Sequence, residues 1–271
     1  MFKEVVPLSP QQHRALRLSA SQPFDFAAAD VLIPVTIGEV ERVAREMPIV
    51  FPRQGGLPQA LAGFEPGKSL HIHPNGQWLG RYIPAHIRRY PFILAQVPAA
   101  PEEASATSRR FVMHFDKSAK HLGLDQGERL FDDAGAPTPV LARIQQVLTA
   151  IQQDAQRTQA LVEQLDALGL LRQTELKITA ADGQPKTVAG VRVIDRTRLA
   201  QLTPDVLSKL HAQGALALVH AHLLSLTNLQ DGWIARHGAQ PQAATPQGGG
   251  ATGAGAALNF DTIDWSAFGR R

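Results

Sequence analysis

The chain has 271 residues, 44% apolar and 19% charged, with a formal charge of +3, proportions of a folded globular protein and not of a disordered one. It contains no cysteine, which excludes disulfides, thiolate zinc sites and cysteine nucleophiles. No run of Lys or Arg exceeds a pair, and no zinc-finger, RNP or helix-turn-helix signature accompanies them, so no nucleic-acid partner is expected.

The opening MFKEVVPLSPQQHRALRLSA lacks the continuous apolar core of a secretory signal, which predicts a cytoplasmic protein unless a signal-independent route exports it. VLIPV (31–35) is short and β-branched and predicts a strand. From Ile37 to Met47 the apolar residues recur at i, i+3 and i+4, predicting a one-sided helix stopped by Pro48, with IVF as the next strand. Residues 57–98 read as a β meander: ALAGF, SLHIH, a turn at Pro74-Asn75-Gly76, then QWLGRYI. Pro84 opens a short helix that Pro91 ends, with Ile87 and Phe92 inward. A polar loop (99–108) precedes the strand RRFVMHF, with Phe111, Met113 and Phe115 on one face.

From Pro139 the texture changes to Ala, Leu and Gln. Apolar residues at 140, 141, 144, 147, 148, 151, 155, 161, 165 and 168 predict an amphipathic helix of about thirty residues, roughly 45 Å long. Gly169 ends it. A second hairpin turns at Asp182-Gly183, Asp195 caps a short helix, Thr203-Pro204 opens another that Gly214 ends, and a last helix is expected over about 216–236. The most apolar stretch, ALALVHAHLLSL (215–226), is too short to span a bilayer. Residues 238–257 form a Gly/Ala/Pro/Gln-rich linker. It leads to a segment, 258–271, in which Phe260, Ile263, Trp265 and Phe268 are interleaved with Asp261 and Asp264. Such a segment docks on a partner or folds back on its own domain. The pattern predicts one α+β domain over 1–237, built of antiparallel hairpins, one long helix and C-terminal helices.

Three groups carry candidate chemistry. Arg81, Arg88 and Arg89 beside Trp78, Tyr82 and Tyr90 bring planar, permanently charged forks next to aromatic faces, a combination suited to an anionic ligand or an acidic partner segment. The competing reading pairs these arginines with the acidic stretch Asp125, Glu128, Asp132 and Asp133 as structural cement. His222 is carried with the arginine group as a further binding residue, against its reading as a core histidine. His71 and His73, two apart on an expected strand, together with Asp116, imitate a two-histidine, one-carboxylate iron site, against the reading of a wet strand face. Ser225 follows His222 by three residues but has no GxSxG elbow. GGGATGAG in the linker lacks the strand, helix and Lys-Ser/Thr of a phosphate loop.

The blocks REMPIVF, W-x3-YIPA-x-IRRYPF, GERLFD-x-x-G-x-PTP and H-x-x-G-x-L-x-L-x-x-AHLLSL, in that order, resemble the SapC family of bacterial proteins over about residues 1–236. The matching positions are Pro48, Phe51, Trp78, Tyr82, Pro84, Arg88, Arg89, Pro91, Phe92, Glu128, Phe131, Pro137, His222, Leu223 and Leu226. The resemblance implies a Gram-negative source and an envelope or surface-layer connection, with no settled catalytic residue. The expectation is a non-catalytic accessory protein with a protein partner or an anionic small-molecule ligand, and no cofactor. An iron-dependent oxygenase-like enzyme or helper using His71, His73 and Asp116, and a structural surface-layer component, are the alternatives.

Overall fold

The computed structural model describes residues 1–19, 23–97, 110–179, 185–237 and 258–259. The chain opens with strand β1 (Val5–Pro7), a single helical turn α1 (Pro10–His13) and strand β2 (Arg17–Leu18). Strand β3 (Leu32–Pro34), helix α2 (Val40–Ala44) and strands β4 (Ile49–Pro52) and β5 (Gln59–Leu61) follow. After an irregular stretch come α3 (Ala85–Arg88), β6 (Phe92–Val97), β7 (Arg110–Asp116), β8 (Leu122–Gly123) and β9 (Glu128–Arg129). The second half holds α4 (Pro139–Ala167), β10 (Leu171–Thr179), β11 (Pro185–Ile194), α5 (Arg196–Ala200), α6 (Pro204–Gln213), α7 (Ala215–Ser225), α8 (Trp233–His237) and β12 (Leu258–Asn259). The fold is α+β, as expected.

The main sheet runs β10-β11-β4-β5-β3 in antiparallel pairs, and β12 joins β11 in parallel. Every residue of β4 and β5 is buried. β4 reads as a continuous apolar run because both faces of the sheet are covered, and the buried Gln59 of β5 donates to the Leu57 carbonyl. Ile49 and Phe51 enter the large core with α2, α6 and α7, while Val50 and Leu61 face a smaller one with Phe64, Val188, Val191 and Ile234. A second sheet, β1-β7-β6, and a small third, β8-β2-β9, enclose another core around Phe92, Phe115, Leu130 and Phe131.

Helix α4 joins these cores. Thr138-Pro139 sets its start, since proline at the first helical position loses no intrahelical bond. Gly169, with φ +64°, ends it. Its 29 residues extend about 43 Å. Leu141 and Leu148 near one end enter the Phe92–Phe131 core, and Leu161, Val162 and Leu165 near the other enter the large core.

Several expectations shift. The helix expected over 37–47 shrinks to α2, Val40–Ala44, with tighter i to i+3 turns on either side, where the Glu39 N–H donates to the Thr36 carbonyl and the Glu46 N–H to the Val43 carbonyl. The expected meander keeps its turn at 74–76, but SLHIH and QWLGRYI are joined by one isolated bridge, Ile72 to Trp78, and not a ladder. The last expected helix divides into α7, a 3-10 turn at Leu226–Leu229, and α8. The division falls where the buried Asn228 side chain donates to the Ala44 carbonyl and Gly232 closes on Asn228. Asp182-Gly183, the linker 238–257 and the tail residues Phe260, Ile263, Trp265 and Phe268 lie outside the described residues.

Candidate functional site: the Trp78–Tyr90 segment

The aromatic-arginine stretch expected to form one surface divides among three surroundings. The first is a cleft of about 420 Å³ with Phe24, Gln77, Trp78, Gly80 and Arg81 in its lining. Trp78 is nearly buried and donates from Nε1 to the Tyr82 carbonyl at 3.1 Å, which fixes the plane of the indole. Phe24 meets it edge-on, with centroids 6.0 Å apart. Glycine is required at position 80, because a Cβ there would lie 2.8 Å from both Glu46 Oε2 and Trp78 Nε1. The same Glu46 oxygen accepts the Arg81 backbone N–H at 2.7 Å. The Arg81 side chain is exposed, and among the described residues its guanidinium makes no hydrogen bond or ion pair.

The second group is built on Glu39, 4% exposed. Its Oε2 accepts from the Tyr82 hydroxyl at 2.9 Å and from the Ala85 N–H at 2.7 Å. Arg88 lies 4.0 Å from that oxygen and also donates to the Tyr82 hydroxyl and the Ile83 carbonyl. Arg42 and Arg88 both approach the Tyr82 ring, at 5.0 and 5.5 Å from its centroid. Burial pushes the Glu39 carboxyl above its ordinary value in spite of these donors. Tyr82 and Arg88 thus tie α2 to α3. The acid nearest Arg88 is Glu39 and not one of the 125–133 stretch.

The third group surrounds Tyr90. Its ring stacks on Phe26 at 3.9 Å, and its hydroxyl donates to Asp116 at 3.3 Å. Burial, then the Asp116 charge, raises this phenol to about 12. Burial works to raise the Asp116 carboxyl as well, but donors from Ser118 and the Lys3 and Glu4 backbone hold it below its ordinary value. Arg89 lies over the Phe2 ring at 5.7 Å, and burial lowers it to about 10.

The remaining candidates separate. His71 is fully buried between Trp78 and Trp233, whereas His73 is exposed and accepts the Asn75 N–H. The chain there is a turn and not a strand of two-residue period, so the two rings do not share a face. Asp116 is occupied by its five donors, and among the described residues no group of three His, Asp or Glu is placed to hold a metal ion.

His222 belongs to the core. Its Nε2 accepts the Ile194 N–H at 3.1 Å, so the proton is on Nδ1, which donates to the Ile49 carbonyl at 2.8 Å. Ser225 donates to the His222 carbonyl and accepts the Ile49 N–H. Together they fasten α7 to β4 and β11, and burial lowers the ring to about 4. Asp132 accepts two backbone N–H groups in its own turn and Asp133 pairs with Arg129, so the acidic stretch is a solvated loop.

Sequence reasoning missed Glu39, Glu46 and Phe24. Each lies more than thirty positions from the segment it completes, and although Glu46 falls in the REMPIVF block, nothing in that block points to residue 81. A family model described as SapC matches residues 8–231. No curated protein and no solved structure matches the chain.

Proposed function

The chain belongs to the SapC family, and on that footing we propose that it is a non-catalytic accessory protein that receives an anionic ligand or an acidic partner segment in the Trp78–Arg81 cleft. The observation that carries this reading is the exposed guanidinium of Arg81, which makes no hydrogen bond or ion pair among the described residues, at the rim of a cleft walled by Trp78 and Phe24. An arginine fork without a protein partner keeps its donors for a carboxylate or phosphate, and the adjacent rings supply apolar contact for the body of the ligand. The other residues of the original surface have structural duties: Tyr82 and Arg88 on Glu39, Tyr90 on Asp116, His222 on two backbone groups. The envelope connection carried by the family's name is part of the proposal and is tested separately, by fractionating the native cell.

The test is titration calorimetry with citrate, inorganic phosphate and an Asp/Glu-rich peptide. Arg81→Ala is expected to weaken the bound anion about tenfold or more at an unchanged melting temperature, while Arg88→Ala retains affinity. Equal affinity in Arg81→Ala, or no binding of any of the three anions to the unmodified protein at millimolar concentration, removes this reading.

A further inference from the structure

The main sheet has two ends, and they are unlike. At one end β3 has three residues, stops at Pro34 and has Ile33 and Pro34 buried. At the other, β10 has nine residues and no proline, and among the described residues its only strand partner is β11. Natural sheets blunt an edge by shortness, by proline or by covering it, because unpaired N–H and C=O groups recruit other strands. β10 is neither short nor interrupted by proline, and Arg172, Gln173, Glu175 and Lys177 along it are exposed. This edge is independent of the cleft.

The charges on β10 discourage an arbitrary strand but complement a second copy of β10. Successive side chains alternate between faces. Thr174 and Leu176 are half-buried, Leu176 against the core that holds Val188 and Val191, while Gln173, Glu175 and Lys177 are on the opposite, exposed face. Two copies related by a twofold axis normal to the sheet pair antiparallel, and they keep these faces in common only when residues of like parity are opposed. Centred on Glu175 or on Lys177, the pairing opposes a charge to its own copy. Centred on Thr174, it sets Arg172 against Leu176 and Glu175 against Gln173. Centred on Leu176, it sets Glu175 of each copy opposite Lys177 of the other, one pair on each side of the axis, and brings the two Leu176 residues together where the two cores adjoin. Neither Glu175 nor Lys177 has a charge partner in its own chain among the described residues.

We propose that β10 is a self-complementary edge: two copies of this chain join antiparallel along residues 173–179, in the register centred on Leu176, and continue the main sheet from one molecule to the next. The backbone edge supplies the attraction. The Glu175–Lys177 pairs select the register and the partner, since directly opposed unlike charges attract across a strand pair and like charges repel. One strand pair is a small interface, of the weak and reversible class.

Sedimentation equilibrium of the full chain over about 5 to 500 μM reads the association. The unmodified chain is expected to dimerise in that range. Glu175→Lys sets lysine against lysine and Lys177→Glu sets glutamate against glutamate, so each is expected to weaken the dimer roughly tenfold or more. Mixed in equal amounts, the two variants face each other with unlike charges at both pairs, and a heterodimer as tight as the unmodified dimer is expected. The double exchange, Glu175→Lys with Lys177→Glu, is expected to restore the homodimer. Mixing separates a contact between copies from damage to either fold, because a misfolded variant rescues nothing. A monomer throughout the range overturns the proposal. So does a dimer that neither single variant weakens, and so does one that the mixture fails to restore.

Discussion

At neutral pH the His222 ring is uncharged, with one nitrogen donating to Ile49 and the other accepting from Ile194. Burial lowers it from an ordinary 6.5 to about 4. Between those values the unfolded chain binds a proton that the folded chain refuses. The contribution to stability is therefore complete above pH 6.5 and disappears as pH falls towards 4, a loss of roughly 3 kcal/mol. Urea denaturation of the unmodified protein and of His222→Leu, each at pH 7.5 and 4.5, isolates this component. The leucine variant should be less stable at pH 7.5 but lose less on acidification; parallel pH profiles would contradict the buried neutral ring. Glu39 gives a second contrast. Glu39→Ala leaves the Tyr82 hydroxyl and the Ala85 N–H without their acceptor and should cost about 3 kcal/mol. Arg88 is about half exposed, at 48%, and its replacement by alanine should cost only about 1 kcal/mol. Thermal denaturation that ranks the two equally would mean that Arg88, not Glu39, organises the α2–α3 contact.

Among the elements, α4 has the widest reach. It lends Leu141 and Leu148 to one core and Leu161, Val162 and Leu165 to another. The stretch between carries Thr158, whose hydroxyl accepts the Ile37 N–H at 2.8 Å. Proline at position 155 deletes a helical hydrogen bond and clashes one turn back, a cost of about 3 kcal/mol or more. Ala155→Pro is expected to uncouple the cores, so that β6, β7 and the first half of α4 lose exchange protection before the main sheet. Simultaneous loss throughout would show that other contacts do the coupling. The α6–α7 junction depends on one residue, Gly214 at φ +84°. Gly214→Ala should cost about 1 kcal/mol, since a side chain in the left-handed region is strained, as a shift in urea midpoint would register.

For the molecule as a whole, the family-matched region, 8–231, contains the cleft, the Glu39 group and most of all three cores. The segment 238–271 lies outside it. A chain ending at His237 is therefore expected to keep its fold, with a melting temperature within about 4 °C of the full chain, and to bind anions as the full chain does. Collapse of the shortened chain would show that the fold depends on residues beyond His237.

Local chemistry was legible in the sequence wherever neighbours in the chain decide the outcome. Thr138-Pro139 and Gly169 bound α4 because proline suits the first turn of a helix and glycine its left-handed end. Asp195 caps α5 because its carboxylate reaches the N–H groups of Thr197 and Arg198. The α+β class and the β10–β11 pairing followed from periodicity in the same way, and the SapC resemblance from the order of several blocks. What arginines, histidines and carboxylates do was not legible, because it depends on partners distant in sequence. Arg88 found Glu39, Tyr90 found Asp116, and His222 found Ile49 and Ile194, while the guanidinium of Arg81, in the same short segment, met no partner among the described residues. A guanidinium beside an aromatic ring reads the same in sequence whether it is cement or an open fork; only the fold, by placing a carboxylate within reach or leaving it out, makes the difference.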